Sequence, residues 1–443
     1  MQRNLVREDR LASEPEPSAV GGPADTRARP PAPIGPIAFL RNRRLVALAA
    51  LAIPSGLPLG LILITVPVWM SDLGIKISTV GWFSLVQLPW NLKFLWAPIL
   101  DRFGLGWPGR RRSWILISQV AVMLGTACLA FIDPRESASR LVLVALVVTF
   151  WSATQDIAFD SYAVNIMEPD EQGIGNGARV ATYRLAMYVS GAIAISAAEA
   201  LPWHTVFLGL AALFLPAIAV TIWAPEPTEP SSPPTSLHEA VTGPLLEFFR
   251  RSRAIEIACF VVLFKAADNL AGALVSPFLL QVGFAKIQIG LAQKTIGLVC
   301  TILGSVVGGA LTSAWGLTPA LWIFGIAQSV STLGYAVVAH VGPNLPLMYG
   351  AVALETLTAG MGTAAFLALL TRLTAKRFSA TQYALLSSLM GVSRTLTGPL
   401  AGIGAEQLGW TWFFALTPLA AVPGMVLLWR FAPWKGSELA AQN

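Results

Sequence analysis

Charge is scarce in this sequence. Only 12% of its 443 residues are Asp, Glu, Lys or Arg, whereas 55% are hydrophobic, and the mean hydropathy is +0.63. Soluble domains carry about 25% charged residues, so a water-exposed surface over a single core is excluded, and a bilayer is the solvent that fits. Cysteine and histidine are also scarce, three of each. Cys128, Cys259 and Cys300 stand far apart inside apolar runs, which argues against a disulfide framework or a thiolate metal site. His204, His238 and His340 lie near predicted helix ends or in a linker, so no metal centre is expected. The short alternating segments of an outer-membrane barrel are missing. No cleavable signal peptide is expected ahead of the first apolar run, because residues 1–43 are rich in Pro, Arg and small residues and read as a disordered cytoplasmic tail.

What is present is long apolar runs. A spanning helix needs roughly 20 apolar residues, and the sequence predicts about twelve spans: 44–70, 78–100, 113–132, 140–167, 173–199, 203–224, 254–282, 286–313, 318–341, 345–371, 380–404 and 411–432. The fold class expected is an all-α membrane protein in two six-helix halves. The N-terminal half is 44–224, the linker 225–253 and the C-terminal half 254–432, with a cytoplasmic tail at 433–443. The linker starts Pro-rich and ends in a short amphipathic stretch with Arg250, Arg251 and Arg253, as suits a segment on the cytoplasmic surface. A weak internal repeat with an offset of 210 residues sets Gly106 on Gly316, Gln172 on Gln382 and Arg184 on Arg394, while Asp101 falls on Leu311. The layout is that of two parallel halves. About 21 of the 30 Lys and Arg residues fall in the tail and the even-numbered loops or at their borders. Only Lys76, Arg135, Arg140 and Lys286 fall in the odd-numbered loops. Both termini are therefore expected in the cytoplasm. The net charge of +6 reads as this topology signal, not as a nucleic-acid surface.

Polar residues inside such spans carry the functional argument. Between spans two and three stand Asp101-Arg102 and then Arg110, Arg111 and Arg112. An Asp at a helix end can accept hydrogen bonds from a neighbouring helix N-terminus or an Arg, latching two halves together. The arginines also suit anionic headgroups; a plain stop-transfer charge cluster is the competing reading. In span four, Asp156 and Asp160 are four apart and share a helix face. Each charge in hydrocarbon costs about 2.5 kcal/mol or more, so that face is expected to line a wet cavity. Two neighbouring carboxyls hinder each other's ionisation, and the pair could hold and release a proton. An internal ion pair to Lys93 or Arg184 is the alternative. Gln155, on an adjacent face, would suit a sugar hydroxyl or amide. Lys265 and Asp268 in span seven are at i, i+3 and predict a pair; a cavity lysine would also attract an anionic cargo, as would Lys294 in span eight and Lys93 in span two. Glu355 in span ten is expected to face the bundle or cavity. Arg184 and Arg394 are expected to snorkel to the cytoplasmic surface, with gating as the alternative. Pro54, Gly56, Pro58, Pro89, Pro98, Gly308, Gly309, Gly360, Gly362, Gly398 and Pro399 permit kinks and close contacts. Trp69, Trp82, Trp90 and Trp151 could stack on sugar faces, although Trp is usual at membrane interfaces.

Longer motifs add a resemblance. Phe94-Leu-Trp-Ala-Pro-Ile-Leu-Asp-Arg102 with Gly109-Arg-Arg-Arg112, and Ser152-Ala-Thr-Gln-Asp-Ile-Ala-Phe-Asp160, resemble the AmpG-type muropeptide permeases of the major facilitator superfamily. So do Tyr183-Arg-Leu-Ala-Met, Ala224-Pro-Glu-Pro-Thr228, Lys294-Thr-Ile-Gly-Leu298, Gly360-Met-Gly-Thr-Ala364 and Phe378-Ser-Ala-Thr-Gln-Tyr-Ala-Leu-Leu386. The similarity runs from about residue 40 to 432. It implies a proton-coupled importer of N-acetylglucosaminyl-1,6-anhydro-N-acetylmuramic acid, with or without a stem peptide, in a Gram-negative inner membrane, serving cell-wall recycling. It implies no cofactor beyond the proton gradient, no enzymatic activity, lipids and a small glycan–peptide cargo as partners, and a monomer. By motif position Ala153, Gln155, Asp156 and Asp160 fall in the family's span-four signature, Lys265, Asp268 and Lys294 in its span-seven and span-eight polar positions, and Gly56 in its span-one Ser-Gly-Leu-Pro element. Two departures, a longer tail before Arg41 and an end after span twelve, bear on cargo range and regulation. The wider family also carries acetyl-CoA, so another anionic, amphipathic or drug-like solute is the alternative cargo. A membrane enzyme or receptor is disfavoured, because no nucleophile–base constellation, metal cluster or sensor domain stands in the sequence.

Overall fold

The computed structural model describes residues 36–75, 83–104, 106–227, 234, 236–251, 253–272 and 274–431. The expectations for the tails, for Lys76 and Trp82, and for the side chains of Arg394, Gly398 and Pro399 lie outside the described residues.

Where no water can pair the backbone, the chain must satisfy its own amides, and helices do so locally. Helix α1 (Arg43–Asp72) starts at Asn42, whose side chain accepts from the Arg44 amide at 3.0 Å. Pro54 and Pro58 lie inside it, and directly after them the helix widens to a π turn at Leu61–Thr65. Prolines cannot donate to the helical ladder, and a π turn is one way for the ladder to resume. The second pass, α2 (84–102), is not one continuous helix. It proceeds in short pieces, Ser84–Gln87, Leu88–Leu92, Lys93–Leu95 and Ala97–Arg102, with Pro89 and Pro98 in the first turns of two of them. Then follow α3 (Arg110–Leu129), α4 (Ala138–Ile166), α5 (Gln172–Ala197) and α6 (Trp203–Trp223). The linker carries α7 (Leu237–Phe249), capped by Ser236, which accepts from Glu239 N. The second half continues with α8 (Ala254–Val282), α9 (Ile287–Trp315), α10 (Leu317–Val341) and α11 (Leu345–Leu373).

The boundary between the last two passes falls inside the break expected at 405–410, but it is a single residue and not a loop. Helical structure runs from Ser379 to Leu416 with a single non-helical residue, Gly409 at φ 69°. A left-handed conformation suits glycine, so the turn is a one-residue corner between α12 (379–408) and α13 (410–431). Among the described residues, ten helices are long and apolar enough to cross a membrane; with the broken α2 and the start of α12 they make twelve passes, six before α7 and six after. The parallel construction shows in element length, since α4 and α11, the fourth pass of each half, both have 29 residues.

Glycine stripes set how closely the helices approach. A Cβ on Gly56 or Gly60 of α1 would lie 2.4 or 2.2 Å from backbone oxygens of α5. In the second half, Gly304 and Gly308 bring α9 onto α11 in the same way. A third stripe joins the two halves: a Cβ on Gly177 of α5 would meet Ser305 O of α9 at 2.4 Å, and one on Gly309 would meet Gly173 O at 2.7 Å. Without hydrophobic drive between helices in lipid, such close backbone packing supplies the association. Changing Gly177 to valine overpacks this seam and is expected to cost about 1–3 kcal/mol of stability, readable as a lower melting temperature in detergent.

Candidate functional site

The end of the molecule that carries the α2–α3, α4–α5, α9–α10 and α11–α12 connections is closed by polar contacts between halves. Asp101, at the last turn of α2, is fully buried. Its carboxylate accepts from Ala380 N at 3.1 Å, Thr381 N at 2.8 Å and Thr381 Oγ1 at 2.7 Å. These are the unpaired amides at the start of α12, where the helix dipole favours an anion. Arg111 Nη2 donates to Asp101 Oδ1 at 2.9 Å and to Ser379 Oγ at 3.2 Å. Around it, Asn165 Nδ2 donates to Ser379 Oγ at 2.9 Å, Ser161 and Ser379 share a 2.6 Å hydrogen bond, and Asn176 Nδ2 reaches Thr371 Oγ1 at 3.3 Å. Glu226, where the linker begins, accepts from Arg111 N at 3.1 Å and Arg112 Nε at 2.9 Å. Arg110 donates to the Asp101 carbonyl, and Arg102 lies over the Phe103 ring.

Deeper in the first half, Asp160 on α4 sits between two cations. Lys93 Nζ donates to its Oδ2 at 3.2 Å, and Arg179 of α5 contacts its Oδ1. Arg179 is itself sandwiched, 4.8 Å from the Phe159 ring and 5.5 Å from that of Tyr383 on α12. Asp160 is thus ion-paired to Lys93 and to Arg179, a partner the sequence reading did not name. Asp156 shares the surroundings of Lys93, Asp160 and Arg179 and is reached by the Ser55 hydroxyl. Gln155 is completely buried and donates to Ser55 Oγ at 3.3 Å, leaving its Oε1 without a hydrogen-bond partner.

The second half carries the other polar cluster. Lys265 Nζ donates to Asp268 Oδ2 at 3.1 Å, Gln328 Oε1 at 2.9 Å and the Ala359 carbonyl at 3.2 Å. Three acceptors use all three of its protons, so the predicted i, i+3 pair forms and the lysine is committed to holding α8, α10 and α11 together. If the pair is structural, Lys265→Ala and Asp268→Ala are each expected to lower uptake more than the double substitution, because each alone strands a buried charge. Tyr335 OH donates to Glu355 Oε2 at 3.3 Å, and Glu355 shares a cavity with Asp268. Both carboxyls line this cavity of about 390 Å³ together with Val180 and Arg184 of α5; Asn269, Thr301, Thr356 and Thr363 complete its polar lining.

Arg184 lines this cavity between the halves. Lys294 is not among the residues that line it. It lies exposed in a π turn of α9, Ala292–Ile296, and the inserted residue of such a turn rotates the side chains beyond it away from a regular helix's phase. Trp69 is 4% exposed and packs edge-on to Phe207 at 4.7 Å, so it is core and not a sugar platform. Trp90 donates to Ser152 Oγ at 3.2 Å. Among the described residues no group of three or more His, Cys, Asp or Glu side chains is placed to hold a metal.

Twelve passes in two six-helix halves, with a polar cavity between them and a charged clasp across one end, define a membrane transporter. A profile of the Major Facilitator Superfamily matches residues 48–341, and the chain belongs to that superfamily. Among solved structures, the human organic anion transporter MFSD10 shares the fold with a TM-score of 0.67 and 14% identity, over 87% of this chain and 99% of that one. The proton:xylose symporter XylE does so with a TM-score of 0.68 and 12% identity, over 88% and 96%. Within the superfamily the chain is a member of the AmpG-type permeases. It is 41% identical over 392 residues to the anhydromuropeptide permease of Escherichia coli K12, covering 88% of this chain and 80% of that protein. It is 31% identical to the putative transporter AmpG 4 of Rickettsia felis, covering 88% and 97%.

Proposed function

We propose that this protein imports anhydromuropeptides across the cell inner membrane, driven by the proton gradient, by alternating exposure of the cavity between its halves. The reading rests on one juxtaposition above all, Arg184 of the first half lining one polar cavity with Asp268 and Glu355 of the second, together with the relationship to the E. coli permease. Arg184 supplies a cation for a carboxylate of the cargo, and Asn269, Thr301, Thr356 and Thr363 supply the neutral partners that sugar hydroxyls and acetamido groups need. Asp268 and Glu355 are two carboxyls lining one cavity, and neighbouring carboxyls hinder each other's ionisation, so the pair is the carrier assigned here. Asp156 and Asp160 with Lys93, Gln155 and Arg179 form a second polar cluster in the first half, and Asp156 is its member without a direct cationic ligand. Asp101, Arg102, Arg110, Arg111 and Arg112 are the latch of the cytoplasmic side. The distribution of Lys and Arg puts both termini there. The protein works as a monomer without a cofactor and performs no covalent chemistry.

Membrane vesicles containing the protein are expected to accumulate radiolabelled N-acetylglucosaminyl-anhydro-N-acetylmuramic acid when the outside is made more acidic than the inside, and to lose that accumulation when an ionophore collapses the gradient. Uptake unaffected by the gradient would remove the proton from the mechanism, and no uptake in either state would remove the cargo.

A further inference from the structure

We propose that α7 is a bilayer-docking helix, with its apolar face in the boundary between headgroups and acyl chains at the basic end of the molecule and anionic headgroups held at its arginine-rich end. The helix has two different faces. Ala240, Pro244 and Phe248 are buried against the protein; Gln382 Nε2 donates to the Pro244 carbonyl at 3.1 Å, and a Cβ on Gly243 would meet the Phe378 ring at 2.7 Å. A second face carries Val241, Leu245, Leu246 and Phe249, between 39% and 60% exposed, with His238 and Thr242 between them. At 100° per residue these four apolar side chains span about 140°. Four large apolar side chains on one face of a short linker helix are not a wholly water-facing surface.

The surroundings name the occupant. Arg250 and Arg253 follow the helix and are exposed, and exposed Lys376 precedes α12, where Arg377 is paired to Glu239 of α7, so the C-terminal end of the stripe is rimmed by positive charge, the complement of an anionic leaflet. It also continues a lipid-facing surface. α7 packs beside the Ala97–Arg102 piece of α2, where Ile99 and Phe103 point outward, and it leads into α8, whose second residue, Ile255, is 69% exposed. Because the opposite face of α7 holds Phe378 and Gln382, next to the α12 amides that Asp101 binds, docking steadies the closed clasp. The inference rests on the membrane-spanning fold and not on the identity of the cargo.

The test uses the full chain in nanodiscs, with Cys128, Cys259 and Cys300 replaced by alanine and a nitroxide attached at Leu245→Cys or, as the reference on the less exposed side, at Glu247→Cys. Collision with oxygen and with a water-soluble nickel chelate reports depth. At position 245 the oxygen-to-nickel collision ratio is expected to exceed that at 247 severalfold. Docking is expected to strengthen when phosphatidylglycerol replaces part of the phosphatidylcholine. Arg250→Ala and Arg253→Ala are each expected to weaken that anionic-lipid effect about fivefold, the equivalent of one juxtamembrane charge. Nickel collisions at 245 equal to those of a water-exposed site in both lipids would overturn the proposal. So would protection from both reagents in native membranes but not in nanodiscs, which would put a protein on the stripe instead. Transport activity enters neither readout, so a failure of the import reading leaves this result interpretable.

Discussion

Asp101→Asn is expected to open the clasped end of the molecule and to slow transport by about two orders of magnitude. The side chain is fully buried and receives three donors from the start of α12 in addition to Arg111. Asparagine keeps one acceptor oxygen but loses the charge that the guanidinium and the helix terminus stabilise, and it presents two hydrogens to donors. Breaking one partner of a buried, hydrogen-bonded ion pair costs about 3–5 kcal/mol, and 3 kcal/mol is a factor of roughly 10² in the ratio of closed to open forms. Spin labels at Asp170→Cys and Lys376→Cys, exposed positions on opposite halves at this end, give the distance directly. A single short distance is expected for the unsubstituted clasp and a broadened, longer distribution for Asp101→Asn. An unchanged distribution with normal uptake would show that the glycine seam of α5 and α9 closes this end without the clasp.

The second large effect is expected at the carboxyl pair. Glu355→Gln retains the size of the side chain and its hydrogen-bonding ability toward Tyr335, but it cannot exchange a proton. Accumulation against a concentration gradient is expected to vanish, while exchange of labelled for unlabelled cargo at equal pH on both sides persists. The sign follows from the direction of the gradient: in the parent protein, uptake rises as the outside is acidified relative to the inside, and in Glu355→Gln that dependence is flat. Asp156→Asn is the control that separates the two polar clusters. If the first-half carboxyl carries the proton, the flat profile moves to Asp156→Asn, and the assignment to α8 and α11 is wrong.

How much of this was legible in the sequence depends on what each residue answers to. An ionisable side chain in an oily helix must face something polar, and that cost is local, so Asp101, Asp160, Lys265, Asp268 and Glu355 stand out from composition alone. The Lys265–Asp268 pair was legible because its spacing lies within a single helix. Partners on other helices were not: Arg179 on Asp160, Gln328 on Lys265 and Thr381 on Asp101 depend on which face of one helix meets which face of another. Helix registers of that kind are set by glycine stripes such as Gly173, Gly177 and Gly309, and a glycine in sequence does not announce its neighbour. The surroundings of Lys294 and Arg184 were hidden for the same reason. A π turn in α9 and the approach of α5 to the second half decide where their side chains go, and neither is a property of the residue itself. The corner at Gly409 was legible, because Glu406, Gln407 and Gly409 interrupt the apolar run between the predicted spans 380–404 and 411–432.

The claim on which the rest depends is that cargo occupies the cavity lined by Arg184, Asp268 and Glu355. A cysteine placed at Thr356, in the wall of that cavity, in a chain otherwise free of cysteine, reports occupancy through its rate of alkylation. Saturating N-acetylglucosaminyl-anhydro-N-acetylmuramic acid is expected to slow that rate at least several-fold, and Arg184→Ala is expected to abolish the protection. A rate that does not change with cargo, in a protein that still transports it, would contradict the account.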